Sequence, residues 1–398
     1  MKKTSKFILL FMFSYTVGCL LLGIFNKFDL FKVWVMSPNF ADLRLITTAS
    51  ECFQNSAWSM VSVSCDPWGR SFNYPSLWVK IFAALGITEA DTSLLGIFEI
   101  LILCLTFLYW IWRFRFLTTD RGNRLYKILI PSFLLSPPIF LLMERGNVDI
   151  LMFAGLTLAS ELLRRQSIVT AGALIALIGS LKIYPFAGAI AVLASTANRG
   201  KQIQVLAASV LGGLLILGEA SLIASRSSTT FNDASYGMSI LPLALFRTAG
   251  IKESKIAGFL LGLILLIGLT IALKILIIKR LEKTVNFLHK NIELKELFNL
   301  FGLVFAFTFL VGTSFDMRLV ILFPLSIIFY LFCETKTERT FTLVMMFLIM
   351  YGGPLAGYLR YFGKPLNLIS DALILLLSSS ILLILIQVNW RKCELKII

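Results

Sequence analysis

Long apolar runs joined by short polar stretches fill almost the whole chain. The first covers residues 7–25, behind Lys2, Lys3 and Lys6. Others lie at about 93–112, 126–143, 147–163, 168–182, 185–197, 203–224, 256–278, 296–313, 319–333, 340–358 and 367–388. Many are long enough, or nearly so, to cross a hydrocarbon core of about 30 Å as a helix. The first run is too long for a signal-peptide core and lacks a small-x-small cleavage site, so it predicts a membrane helix. The pattern predicts an all-α polytopic membrane protein of about twelve spans. It would form one domain over 1–398, with both termini in the cytoplasm.

Three stretches break the pattern. The first outer loop, 26–92, is too long for a simple connector. Leu43, Ile46 and Ala49 fall at helical spacing within it, predicting a short surface helix around 40–56. Ser76 to Ile87 is apolar but too short to span, which predicts an interfacial or re-entrant piece. The segment 225–255 is rich in Ser, Thr and Asn. Around 280–296 the basic residues Lys279, Arg280, Lys283, Lys290 and Lys295 predict an amphipathic helix on an anionic surface.

Composition agrees with the membrane class. The chain is 58% hydrophobic and 15% charged, where soluble domains are nearer a quarter charged. The formal net charge of +15 reads as the positive-inside bias of cytoplasmic loops, not as nucleic-acid binding. In the twelve-span arrangement most Lys and Arg fall inside, and the aspartates fall outside except Asp120. Reading 168–197 as one helix would put Lys182 near the bilayer centre, at a cost of about 3 kcal/mol or more. Pro185 would also break that helix. Two short helices meeting at Lys182-Ile-Tyr-Pro185 avoid both problems.

This topology gathers several polar groups on the outer side. They are Asp42 with Arg44; Asp66, Arg70, Asn73 and Tyr74; Glu144, Arg145, Asn147 and Asp149; Lys182 and Tyr184; Asp316 and Arg318; and Arg360, Tyr361 and Lys364. Acids at helix ends can accept protons, and Arg or Lys can cradle an anion. The chain has one histidine, six cysteines and no CxxC pair. That speaks against a zinc site or a His-based triad, so neither metal nor cofactor is expected.

An acid in the first outer loop, an Arg-Gly-Asn-x-Asp turn, a Lys-x-Tyr-Pro turn and a late Asp-x-Arg-Leu turn, in that order, resemble the GT-C membrane glycosyltransferases. The likeness is to glycosyltransferase family 87 in particular, the polyprenyl-phosphate-mannose-dependent mannosyltransferases and their relatives. The resemblance implies a GT-C-like bundle and an active site facing outward from the plasma membrane. It further implies a polyprenyl-phosphate-linked sugar donor, with mannose as a candidate sugar, and a glycan or glycolipid acceptor. Asp42, in Phe-Ala-Asp-Leu-Arg, matches the general base. Arg44, Arg145, Asn147, Asp149, Lys182, Tyr184, Asp316, Arg318 and Arg360 are then the expected substrate-binding residues. Asp66, Arg70, Asn73 and Tyr74 are expected on the acceptor side. Cys52 and Cys65 share the outer loop, where disulfides persist, and are expected to pair.

Plainer readings stand beside these. Asp42 could cap a helix or pair with Arg44. Asp66-Pro-Trp-Gly suits a turn. Asn147 or Asp149 could cap a helix, and Lys182 and Arg318 could snorkel to the interface. Trp58, Trp68 and Trp78 suit interfacial anchoring. The rival functions are a lipid-linked glycan polymerase or ligase, and a flippase or transporter.

Overall fold

The computed structural model describes residues 3–31, 35–55, 63–114, 128–226, 235–250, 254–310, 314–358 and 363–394. Trp58, Arg360 and Tyr361 lie outside the described residues. In chain order the helices are α1 (Lys3–Phe25), α2 (Ala41–Gln54), α3 (Ser76–Ala84), α4 (Thr92–Phe114), α5 (Ile130–Leu134), α6 (Pro137–Arg145), α7 (Asp149–Arg164), α8 (Ile168–Leu181), α9 (Ala187–Ala194), α10 (Arg199–Arg226), α11 (Ile240–Thr248), α12 (Lys255–Leu276), α13 (Ile278–Lys290), α14 (Ile292–Leu310), α15 (Leu322–Phe332), α16 (Lys336–Tyr358) and α17 (Gly363–Glu394).

The all-α membrane character is plain, but the count of twelve spans is not established. Among the described residues, four helices are long and apolar enough to cross a membrane: Glu89–Phe114, Arg199–Ile223, Ile256–Leu276 and Leu368–Asn389. Shorter apolar helices run over Leu10–Phe25, Ile168–Leu181, Tyr184–Ala194 and Met317–Phe332. Proline accounts for part of the shortfall. The run at 126–143 is split into α5 and α6 where Pro137 and Pro138 open the second helix, because a proline ring clashes with the preceding turn. The run at 168–197 is likewise divided. Helix α8 ends at Leu181, a 3-10 turn covers Tyr184–Phe186, and α9 follows.

The chain divides into two compact units. One comprises Met1–Ala159, Val169–Phe186 and Ile203–Ser228; the other comprises Ser160–Ile168, Ala187–Gln202 and Thr229–Ile398. In the first unit α1 packs on α4, and α2 packs on α3, α4 and α6. Phe107, Trp110 and Phe153 are buried there, and the Trp110 indole donates to Thr157 Oγ1 at 2.9 Å. Lipid tails are as apolar as Leu, so close backbone approach and hydrogen bonds hold such helices together. Gly212 illustrates this: a Cβ there would meet the Ala176 carbonyl oxygen at 2.8 Å.

Helix α2 is buried more deeply than a helix laid on a membrane surface. Leu43, Ile46 and Ala49 are buried as their spacing predicts, but so are Arg44, Thr47, Thr48 and Ser50. The stretch 87–92 supplies their partners. Thr47 shares a 2.6 Å hydrogen bond with Thr92, and the Ser50 hydroxyl donates to the Ile87 carbonyl at 2.7 Å. Helix α3 has nine residues, about 14 Å at 1.5 Å per residue, too short to cross. A disulfide joins Cys52 to Cys65.

In the second unit α17 packs against α12, α14 and α16. Its buried Ser378 and Ser379 turn their hydroxyls back to Ile374 and Leu375 carbonyls, which satisfies them without a second helix. A two-residue antiparallel ladder pairs Ser235 with Phe315 and Tyr236 with Ser314. Helix α13 buries Leu281, Thr284, Val285 and Leu288, and Lys279, Lys283 and Lys290 are exposed. This is the amphipathic pattern predicted, but the helix ends at Lys290, and Lys295, expected on the same basic face, is buried in α14.

Candidate active site

The site is built in the first unit, and Phe40 sets its frame. Phe40 adopts a left-handed backbone, φ 59°, an uncommon conformation for a bulky residue. Its N–H donates to the Glu144 carbonyl at 2.9 Å. Its ring is fully buried and fills the space beside Gly96, where any Cβ would collide with it. Gly146 must also be glycine. Its φ is +54°, and a Cβ would come within 3.0 Å of Phe40 and 3.1 Å of Leu43. These contacts fix where α2 begins, and so where Asp42, in its first turn, is held.

The Asp42 carboxylate receives two donors. Asn147 Nδ2 donates to Oδ2 at 2.6 Å, and Arg70 Nη1 to Oδ1 at 3.2 Å. An ionised carboxylate has about four lone-pair sites, so these contacts orient it without saturating it. Its side chain is 17% exposed.

Asp66 is different, being 1% exposed. Its Oδ2 accepts from the Trp68 N–H at 3.1 Å, the Arg70 N–H at 2.8 Å and Arg70 Nε at 3.1 Å. Its Oδ1 accepts from Arg70 Nη2 at 2.9 Å. Arg70 Nη2 also donates to the Ala41 carbonyl, and the guanidinium lies 4.8 Å from the Trp68 ring centre. Burial alone would make the Arg70 guanidinium easier to deprotonate. The Asp66 hydrogen bond and the Asp42 and Asp66 charges outweigh it, so its pKa is raised further.

Asn147 is the junction. Besides Asp42, its Nδ2 lies 3.4 Å from the Tyr74 hydroxyl. Its Oδ1 accepts from the Asp149 N–H at 3.0 Å and from Lys182 Nζ at 3.2 Å, so it also caps the start of α7. Asp149, 1% exposed, pairs with Lys182 at 2.7 Å and accepts from the Tyr184 hydroxyl at 2.8 Å. The Lys182 ammonium lies 5.3 Å from the Tyr74 ring centre. The break after α8 is what frees Lys182 and Tyr184 to reach this cluster.

The structure thus brings together Asp42, Asp66, Arg70, Tyr74, Asn147, Asp149, Lys182 and Tyr184. Arg44 and Arg145 pair with glutamates. Arg44 is buried and pairs with Glu89 at 2.6 Å, because α2 turns this residue toward the 87–92 stretch. Arg145 pairs with its neighbour Glu144 at 3.0 Å. Asn73 is half-buried beside Tyr74 in sequence. Asp316 opens the 3-10 segment Asp316–Ile321, which carries Arg318, in the second unit. Arg360 lies outside the described residues.

Glu144 is gathered with the outer polar groups but carries no expected role, and Glu99 and Glu219 escape a reading by motif. Glu144 accepts from the Met36 N–H at 2.7 Å. Burial pushes its carboxyl up to about 7, against the opposing pull of Arg145. Glu219 accepts from the Ser76 N–H at 2.7 Å and from its hydroxyl, capping α3 two residues after Tyr74. Trp78, on the same helix, donates to the Leu181 carbonyl at 2.9 Å. Glu99 is buried within α4. The available signal for Glu99 and Glu219 is an acid inside an apolar run, which in a membrane protein points to function. Among the described residues, no three His, Cys, Asp or Glu side chains form a metal-holding group.

Residues 72–289, more than half of the chain, match the model of glycosyltransferase family 87. The chain belongs to glycosyltransferase family 87. Membership makes it a membrane glycosyltransferase, as the ordered turns suggested. The matched region takes in the Asn147, Asp149, Lys182 and Tyr184 turns. Asp42 and Asp66 precede it, and Asp316 and Arg318 follow it. No curated protein matches the chain.

Proposed function

We propose that this family 87 protein transfers a sugar from a polyprenyl-phosphate donor to a hydroxyl of a glycan or glycolipid. The reaction takes place at the outer face of the plasma membrane, with both termini in the cytoplasm, and mannose is the first sugar to test. The carrying observation is the contrast between an oriented, partly exposed Asp42 and the buried Asp66 and Asp149 around it. Only a carboxylate with accepting capacity left and access to substrate can take a proton from an incoming hydroxyl.

In the proposed step Asp42 accepts the acceptor's hydroxyl proton as that oxygen bonds to the anomeric carbon. The bond from that carbon to the phosphate oxygen breaks on the opposite side, inverting the centre. The lipid phosphate leaves as a stabilised anion, so no second carboxylic acid is needed to protonate it. Lys182, anchored by Asp149 and Asn147, supplies positive charge for that anion. The construction rests on residues of the first unit alone.

The test is transfer of label from polyprenyl-phosphate mannose in membranes. Asp42→Asn keeps size and hydrogen bonding and should lose about 10²–10⁴-fold in turnover with donor binding retained. Full turnover in that variant would remove Asp42 as the base. It would bring forward the lipid-linked glycan polymerase and flippase readings, which need no such base.

A further inference from the structure

Glu99 lies within the apolar helix α4 and is 4% exposed. Among the described residues its buried Oε2 has no hydrogen-bond partner. It sits one turn beyond Gly96, on the same face of the helix, and Gly96 abuts the Phe40 ring that fixes the start of α2. The charged groups acting on it are Lys182, Asp42 and Asp149, which all belong to the candidate site.

A buried carboxyl without a donor destabilises the protein that carries it. An apolar side chain of similar size would pack there at lower cost. Glu99 therefore contributes nothing visible to the fold, while it feels the charges of Lys182, Asp42 and Asp149, the residues that would handle donor phosphate and acceptor proton. A ligand presenting hydroxyl donors would satisfy it. In a sugar-phosphate the sugar hydroxyls lie within a few bonds of the phosphate, so a phosphate near Lys182 would bring them close.

We propose that Glu99 is a sugar-recognition residue, accepting hydrogen bonds from hydroxyls of the donor sugar. It touches the sugar without exchanging a proton or bond with it, so its role is specificity and positioning. This rests on the lipid-phosphate-sugar donor reading.

The test uses the full chain in lipid nanodiscs. Thermal melting and binding are measured with polyprenyl-phosphate mannose, polyprenyl-phosphate glucose and bare polyprenyl phosphate. The wild-type protein should bind at least one sugar-bearing lipid more tightly than the bare lipid. Empty Glu99→Leu should melt at or above the wild type. It should bind the bare lipid normally and lose about tenfold or more in affinity for the preferred sugar-bearing lipid. Glu99→Gln, which tests the charge with shape kept, should fall between and discriminate less between mannose and glucose. Unchanged sugar-lipid affinity in both variants overturns the inference, as does an equal loss for bare and sugar-bearing lipid with a lower melting point. If the wild type binds none of the three lipids, the donor reading fails and the inference falls with it.

Discussion

Asp42 and Asp66 are aspartates of the same long loop, share Arg70, and yet end in different situations. Asp66 receives four described hydrogen bonds, all from residues within four positions of it. It folds its own turn and places the Arg70 fork. Asp42 receives one bond from that fork and one from Asn147, 105 residues away. A carboxylate saturated by near neighbours is scaffold. One oriented by distant elements and left partly open is equipped to meet a substrate. Proximity to the site does not separate the two; the number and origin of their donors does.

Transfer kinetics gives the largest test of this contrast. With labelled donor, Asp66→Asn should keep turnover within about tenfold of the wild type once corrected for folded protein, while Asp42→Asn falls by two or more orders of magnitude. A larger loss in a well-folded Asp66→Asn protein would reverse the assignment. Next in size is the frame around Asp42. Phe40→Ala should cost about 3–5 kcal/mol of stability, read as a lower melting point in nanodiscs. It should reduce turnover as well, because α2 loses the ring that sets its start. A melting point equal to the wild type would show that Phe40 does not position Asp42.

The loop staple is expected to matter somewhat less. The disulfide closes a loop of about 14 residues, worth roughly 3 kcal/mol in the chain-entropy account. Cys52→Ser combined with Cys65→Ser should lower the melting point under non-reducing conditions and match the reduced wild type. If the Asp66 turn is the self-sufficient scaffold described above, turnover at low temperature should be nearly unchanged.

The smallest expected effect is a pH dependence at Glu144, which holds the Met36 N–H. Burial raises its folded pKa to about 7 from 4.5, so the folded chain binds this proton more tightly than the unfolded chain does. The resulting stability is full below pH 4.5 and is lost as pH rises through 7. Glu144→Gln should flatten the melting-point curve over that window by a few degrees. An identical slope in wild type and variant would assign the dependence to another group.

Much of this was legible in the residues alone. Apolar run length and low charge fixed the membrane class, because a bilayer accepts little else. Pro185 beside Lys182 dictated the break between α8 and α9 through local sterics and the cost of burying an ammonium. Asparagine in Arg145-Gly-Asn-Val-Asp149 announced a helix cap, and Asn147 supplies it. These are local properties, decided within a turn or two of the chain. The number of spans was not legible, since run length does not reveal where prolines and 3-10 turns shorten a helix. Pairing was not legible either. Arg44 faces Glu89 and not Asp42, Asp66 is consumed by its own turn, and Glu99 feels the charge of Lys182 although 83 positions separate them in the sequence. Those outcomes depend on which side chains meet across tens of residues, and only the packing of α2, α4, α6 and α8 in three dimensions decides that.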